Sequence, residues 1–380
     1  MRDFSPIIEQ FGSLELYQSC PSYFTAKRET GMPAIDALTK AVKRQIGTSV
    51  AGVPIIALEY GEFEPLEGIC SDNLHSSLAA KIVPPDPTDI YPASFYGSNR
   101  RRKPSLVIQG GIHGGELTGT VANINLCHVI ETGKDLRGKA WPRLQELALA
   151  TRLVIIPWLN PDSTDRWPLY TTEGAPRALL AACTYGVRKD GQVLSYPGFK
   201  KYGVIEPSEM AHMGSYFNDN GINLQYDLMA IDRQPETIAW MRYYLQERPD
   251  AALVWHCNDG SLMGPCEYYL PPGHQHTHSR LSGAVYARLL RDNLPVRRMS
   301  WAGLPGMGKP FIEQSTAIYH ICGALPLMSE LPLAHEGLDL SHDTLLDMGL
   351  THIEEVLSFG HTEGFRPYEY WDKVKSTRKD

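Results

Sequence analysis

His113-Gly114-Gly115-Glu116 sets an imidazole and a carboxylate three residues apart, a spacing at which one turn of chain brings both side chains to the same side. Two groups so placed can share one metal ion. Gly110 and Gly111 before them, and the two glycines between, let the backbone turn tightly and leave room for a substrate. A catalytic zinc takes three protein ligands, commonly two His and one Glu, and keeps a fourth position open. The second histidine is expected at His256, which ends the apolar run Leu253-Val254-Trp255. Cys257 beside it should point to the opposite face of an extended strand and is read as a packed thiol. Glu330, in Met328-Ser329-Glu330-Leu331, is an acid among apolar neighbours, a costly placement unless it faces a site. It is the candidate general base, able to take a proton from a zinc-bound water that attacks a carbonyl and pass it to a leaving nitrogen. Each residue alone has an ordinary alternative: a hydrogen-bonded histidine, a glutamate in a helix's first turn, a partner for a buried arginine.

These residues need strands and turns to bring them together. Short β-rich runs recur at Val53–Glu59, Ser105–Gln109, Arg152–Trp158, Ala251–Trp255 and Ala324–Leu331, each bounded by Gly, Pro, Asn or Asp. Between them, helical periodicity marks Ala34–Ile46, Glu116–Glu131, Pro235–Glu247, Ser279–Asn293, Lys309–Cys322 and His342–Phe359. Such alternation implies a mainly parallel or mixed sheet covered on both faces, with ligands outside the carboxyl ends of its strands. His113, Glu116, His256 and Asn160-Pro161-Asp162 all follow strand-like runs, so the polar chemistry is expected at one edge. No repeat or clean linker divides the 380 residues, although Pro84-Pro85-Asp86-Pro87 interrupts regular structure, and residues 1–380 are read as one domain.

Composition narrows the partners. A hydrophobic content of 43% and a charged content of 21% fit a folded globular chain. The net charge of −7 comes without a long acidic or basic block, and the run Arg100-Arg101-Arg102-Lys103 reads as a solvated loop, so no nucleic acid is expected. Seven scattered cysteines without CxxC spacing argue against disulfides and against a cysteine zinc site. No stretch approaches eighteen uninterrupted apolar residues and Met1–Ser19 has no apolar core, so a cytoplasmic protein without a membrane span is expected.

Taken in order, Gly111-Ile112-His113-Gly114-Gly115-Glu116, Leu159-Asn160-Pro161-Asp162 with Arg166, Asp219-Asn220-Gly221-Ile222-Asn223-Leu224, Trp255-His256 and Ser329-Glu330-Leu331 resemble the zinc carboxypeptidases of the carboxypeptidase A type. The likeness spans about residues 35 to 360. It implies a three-layer α/β/α sandwich with a mixed, mainly parallel eight-stranded sheet. It also implies Zn2+ held by His113, Glu116 and His256, with Glu330 as base and Arg166, or else Arg177 or Arg188, polarising the scissile carbonyl. Asn160, Asn223, Gln225, Tyr226 and Arg233 are the expected substrate contacts.

The chain also departs from that family. Where carboxypeptidases carry Asn-Arg to grip a terminal carboxylate, it has Gln225-Tyr226, so the cationic clamp is missing. The family's catalytic-loop tyrosine has no obvious counterpart, and Tyr319 is expected on the preceding helix. A 167–217 insertion is expected to shape the site or merely decorate it. His274, His276 and His278 follow Pro271-Pro272-Gly273 and are read as a rim loop. The expectation is a zinc-dependent hydrolase of an amide bond in a peptide-like or acylated amino-acid substrate. The alternatives are an N-acyl amino acid deacylase of the aspartoacylase or succinylglutamate desuccinylase type, and a non-catalytic binding protein on the same fold. The partner is a small-molecule or peptide substrate, and a homo-oligomer is left open.

Overall fold

β3 (Ser105–Gln109), β7 (Ala251–Cys257) and β9 (Leu325–Leu331) are the strands that carry the candidate residues, and they lie side by side. The structure is a computed structural model that describes residues 3–64, 103–195, 205–257, 262–264, 270, 272–296 and 313–365. Its main sheet also contains β1 (Val42–Thr48), β2 (Pro54–Tyr60), β4 (Arg152–Ile156) and β8 (Leu262–Gly264), in the order β1-β2-β4-β3-β7-β9-β8. β3 pairs in parallel with β4 and β7, and β7 with β9, while β2 and β8 run antiparallel to their neighbours. The sheet is therefore mixed and mainly parallel, as expected. Among the described residues it has seven strands, not eight; the higher number came with the family resemblance and not from any run of residues. A separate ribbon pairs β5 (Gly186–Arg188) with β6 (Met210–Met213) inside the expected insertion.

Side chains alternate across the sheet. Leu106, Ile108, Leu253, Trp255, Leu325 and Leu327 face the helices Leu117–Thr132, Pro142–Leu149 and His342–Thr362. Val107, Ala252 and Val254 face the helices Pro235–Glu247 and Gln314–Cys322. Both faces are covered because the central strands are apolar on both sides and could not stay wet on either.

Ala34–Ile46 is not one helix. A helix covers Arg28–Asp36, and Val42–Thr48 becomes the edge strand β1, antiparallel to β2. Partnership with β2 decides the strand, because tertiary pairing outweighs a weak local preference. His274, His276 and His278 likewise stand on a helix, Pro272–Arg291, and not in a loop. Pro272 is its first residue, where a missing N–H costs nothing. Arg100, Arg101, Arg102, residues 84–87 and residues 309–312 lie outside the described residues.

Candidate metal centre

The turn that leaves β3 is built on close backbone contact. Gly114 N–H faces both Ser163 Oγ at 2.8 Å and the Ser215 carbonyl at 3.0 Å. A Cβ on Gly114 would fall 2.3 Å from the Ser163 carbonyl carbon, so only glycine permits this approach. Glu116 N–H closes the turn on the His113 carbonyl at 3.1 Å, and Glu116 then stands at the N-cap of the Leu117–Thr132 helix. His256 comes from the neighbouring β7. Gly119 lets the helix lie against that strand, since a Cβ there would meet Trp255 Cβ at 2.3 Å. Trp255 Nε1 donates to Asn123 Oδ1 at 2.9 Å and fixes the strand one residue before the ligand.

The three expected ligands converge. His113 Nδ1 lies 2.9 Å from Glu116 Oε1, and His256 Nδ1 lies 3.0 Å from Glu116 Oε2. All three side chains are buried, and their ligand atoms lie within 4.8 Å of one another, the spacing of a metal site. Burial pushes the Glu116 carboxyl up, but the charges of His113 and His256 and their hydrogen bonds outweigh it and hold the group well below the usual carboxylate range.

The hydrogen bonds around His113 favour a cation at this point. Asn223 Oδ1 accepts the backbone N–H of Gln225 at 3.1 Å, which fixes the amide's orientation, and it lies 3.1 Å from His113 Nε2. Nε2 must therefore carry the hydrogen. The other ring nitrogen then faces a carboxylate, a pairing that needs a proton or a metal ion between the two. The donor set suits zinc: two imidazole nitrogens and a carboxylate, all buried.

Glu330 lies on β9 directly beside His256 of β7, the two being register partners, and adjacent parallel strands place such residues on the same face. It is buried. Cys257 alternates to the other face and packs against the opposite core, and burial pushes its thiol well up.

The remaining candidates fall into two groups. Asn160 caps the short helix Pro161–Arg166, accepting Ser163 N–H at 3.2 Å, and donates to the Ile112 carbonyl at 3.2 Å, which ties the β4 turn to the β3 turn. Arg166 donates to Asp219 and to the Phe217 carbonyl. Arg188 is paired with Glu209 at 2.7 Å, and Arg177 begins a helix at an exposed position. Gln225 is buried beside Asn223, whereas Tyr226 is half-buried. Arg233 is exposed, with Nε donating to the Leu228 carbonyl at 2.6 Å. Tyr319 is buried on the Gln314–Cys322 helix, its ring 4.8 Å from that of His274. His274 and His278 share the buried side of their helix while His276 is exposed, and among the described residues they form no second group with metal spacing.

One residue was missed by sequence reasoning. Tyr216 places its ring 4.2 Å from that of His113, and burial, followed by the charges of Glu116, Tyr185, Glu330 and Tyr226, holds its phenol well above the ordinary value. No periodicity marks it; its position within the insertion was the only signal.

Residues 37–166 match the model of the zinc carboxypeptidase family, a span that includes His113 and Glu116 and stops before His256 and Glu330. No curated protein matches the sequence. Among solved structures, a metallo-carboxypeptidase from Burkholderia cenocepacia aligns over 88% of this chain and 68% of its own, with 16% identity and a TM-score of 0.54. A metallo-carboxypeptidase from Pseudomonas aeruginosa, in complex with (2-guanidinoethylmercapto)succinic acid, aligns over 89% and 70%, with 13% identity and a TM-score of 0.54. At these identities the structural likeness speaks for the fold. Among the described residues, no helix is long and apolar enough to cross a membrane.

Proposed function

Starting from a zinc metallohydrolase with the zinc carboxypeptidase signature and fold, we propose that the chain hydrolyses an amide bond in a peptide-like or acylated amino-acid substrate. The observation that carries this reading is the pairing of Glu330 with His256 on adjacent strands, beside the His113–Glu116 turn. His113, Glu116 and His256 would hold zinc, which would supply a Lewis acid to polarise the scissile carbonyl and make water more acidic. Glu330 is the general base: its buried carboxylate takes a proton from the attacking water and returns it to the leaving nitrogen. Asn223 acts from behind, holding the His113 ring so that Nδ1 points into the site. Arg166 enters as the brace of the Phe217–Asp219 turn, its charge already met by Asp219. A non-catalytic role on the same fold is disfavoured, because a binding protein has no use for a buried acid beside the ligand group.

Specificity differs from release of a free C-terminal residue. Gln225 and Tyr226 offer no positive charge for a carboxylate, and Gln225 Oε1 is buried without a hydrogen-bond partner among the described residues, an acceptor suited to a neutral N–H or O–H group. Matched peptides with free and amidated C-termini, together with N-acyl amino acids, test this on the zinc-loaded protein. Blocked or acylated substrates are expected to be cut at least as fast as free acids. A preference of about tenfold or more for the free acid, the size a charged hydrogen bond provides, would overturn the reading of Gln225 and Tyr226.

A further inference from the structure

Ser215 bonds the insertion to the turn of the metal centre. The Ser215 carbonyl accepts from Gly114 N–H at 3.0 Å and from Ser163 Oγ, so it is joined to the turn between His113 and Glu116 and to the helix after β4. On the other side, Ser215 N–H donates to the Cys183 carbonyl at 3.0 Å, and Tyr216 N–H to the Thr184 carbonyl at 3.2 Å. Arg166 holds the carbonyl of Phe217, the residue after Tyr216. The backbone of Tyr216 is thus fixed from both directions.

The side chain is fixed as well. The Tyr216 ring lies 4.2 Å from the His113 ring at 45°, and Tyr185 packs edge-on against it at 5.3 Å. The residue is only 7% exposed. A phenylalanine would pack on His113 equally well; what tyrosine adds is an O–H. The two carboxylates of the site, Glu116 in the ligand group and Glu330 beside His256, can only accept hydrogen bonds when ionised. An oxygen gaining negative charge at this site needs a donor, and Tyr216 is placed to be one.

We propose that Tyr216 is a ligand-contacting residue of the metal centre, its phenol donating a hydrogen bond to an oxygen of the molecule bound beside His113, Glu116 and Glu330. The assignment rests on the zinc-hydrolase reading. It makes the insertion a working wall of the site, because the segment that carries Tyr216 is the one bonded to Gly114.

The test compares wild type with Tyr216→Phe, both loaded with zinc, by calorimetric titration with acetohydroxamic acid, a small oxygen ligand for zinc. The variant keeps the ring on His113, so zinc content should stay at that of wild type, while acetohydroxamate binds about three- to tenfold more weakly, the size of one neutral hydrogen bond. Equal affinities would overturn the assignment. Loss of zinc from the variant would overturn it too, since the hydroxyl would then serve His113 and not the ligand. The hydrolase reading falls separately, if zinc-loaded wild type binds acetohydroxamate and cleaves none of the amide substrates described above.

Discussion

Asn223 Oδ1 stands 3.1 Å from His113 Nε2 and at the same distance from the amide nitrogen of Gln225, so one side-chain oxygen orients a ligand ring and pins the pocket loop together. Replacing Asn223 by Ala removes that hold while leaving His113, Glu116 and His256 in place. Zinc affinity, measured by competition with a chelator, should fall about 10- to 100-fold, as is typical when a partner behind a ligating histidine is lost. Unchanged affinity would mean that the ring is oriented by packing alone, with Tyr216 the obvious source.

Glu330→Gln keeps the size of the side chain and removes its basicity. Zinc content should match wild type, whereas turnover should drop by about 10²- to 10⁴-fold, the range for a positioned general base. Turnover close to wild type would strip Glu330 of that role.

His352 supplies a stability prediction away from the metal. It is buried on the His342–Thr362 helix, edge-on to Trp255 at 5.1 Å, and burial lowers its pKa to about 3. Unfolded, the same imidazole titrates near 6.5. Between those values the unfolded chain binds a proton that the folded chain refuses, so stability should fall as pH drops from about 6.5 towards about 3 and lose nothing more from this group below that. At pH 4.5 the loss is of order 2 kcal/mol. Comparing denaturant midpoints of wild type and His352→Phe at pH 7 and pH 4.5 should show the smaller decrease in the variant. Equal decreases would place the acid sensitivity elsewhere.

How far the residues could be read before the structure depended on distance along the chain. Glu116 and His256 were legible because each follows an apolar run, and a strand end is where polar side chains can gather; Glu330 was legible because an acid inside such a run is costly. The β3 and β7 runs and the Pro235–Glu247 helix were likewise marked by local pattern. What local pattern could not carry was partnership. Val42–Thr48 has helical spacing and is a strand because β2 lies beside it. Asn223 was expected to touch substrate, and no local pattern could show that its side-chain oxygen also meets His113, over a hundred residues away, and the backbone of Gln225. Tyr216 had only its place in the insertion to mark it, since its meaning comes from the contact of the preceding carbonyl, that of Ser215, with Gly114 N–H across a similar distance.

The ligand set has a mechanical side. His113 and His256 are roughly 140 positions apart, and a metal shared between them would be a removable cross-link that closes that long loop, with the Tyr216 segment inside it. Withdrawing the ion would therefore do more than stop a reaction: it would release a tether on more than a third of the chain. Since anything that binds only the folded state stabilises it by an amount that grows with the logarithm of its free concentration once that exceeds Kd, the resistance of this loop to cutting should rise with the supply of zinc.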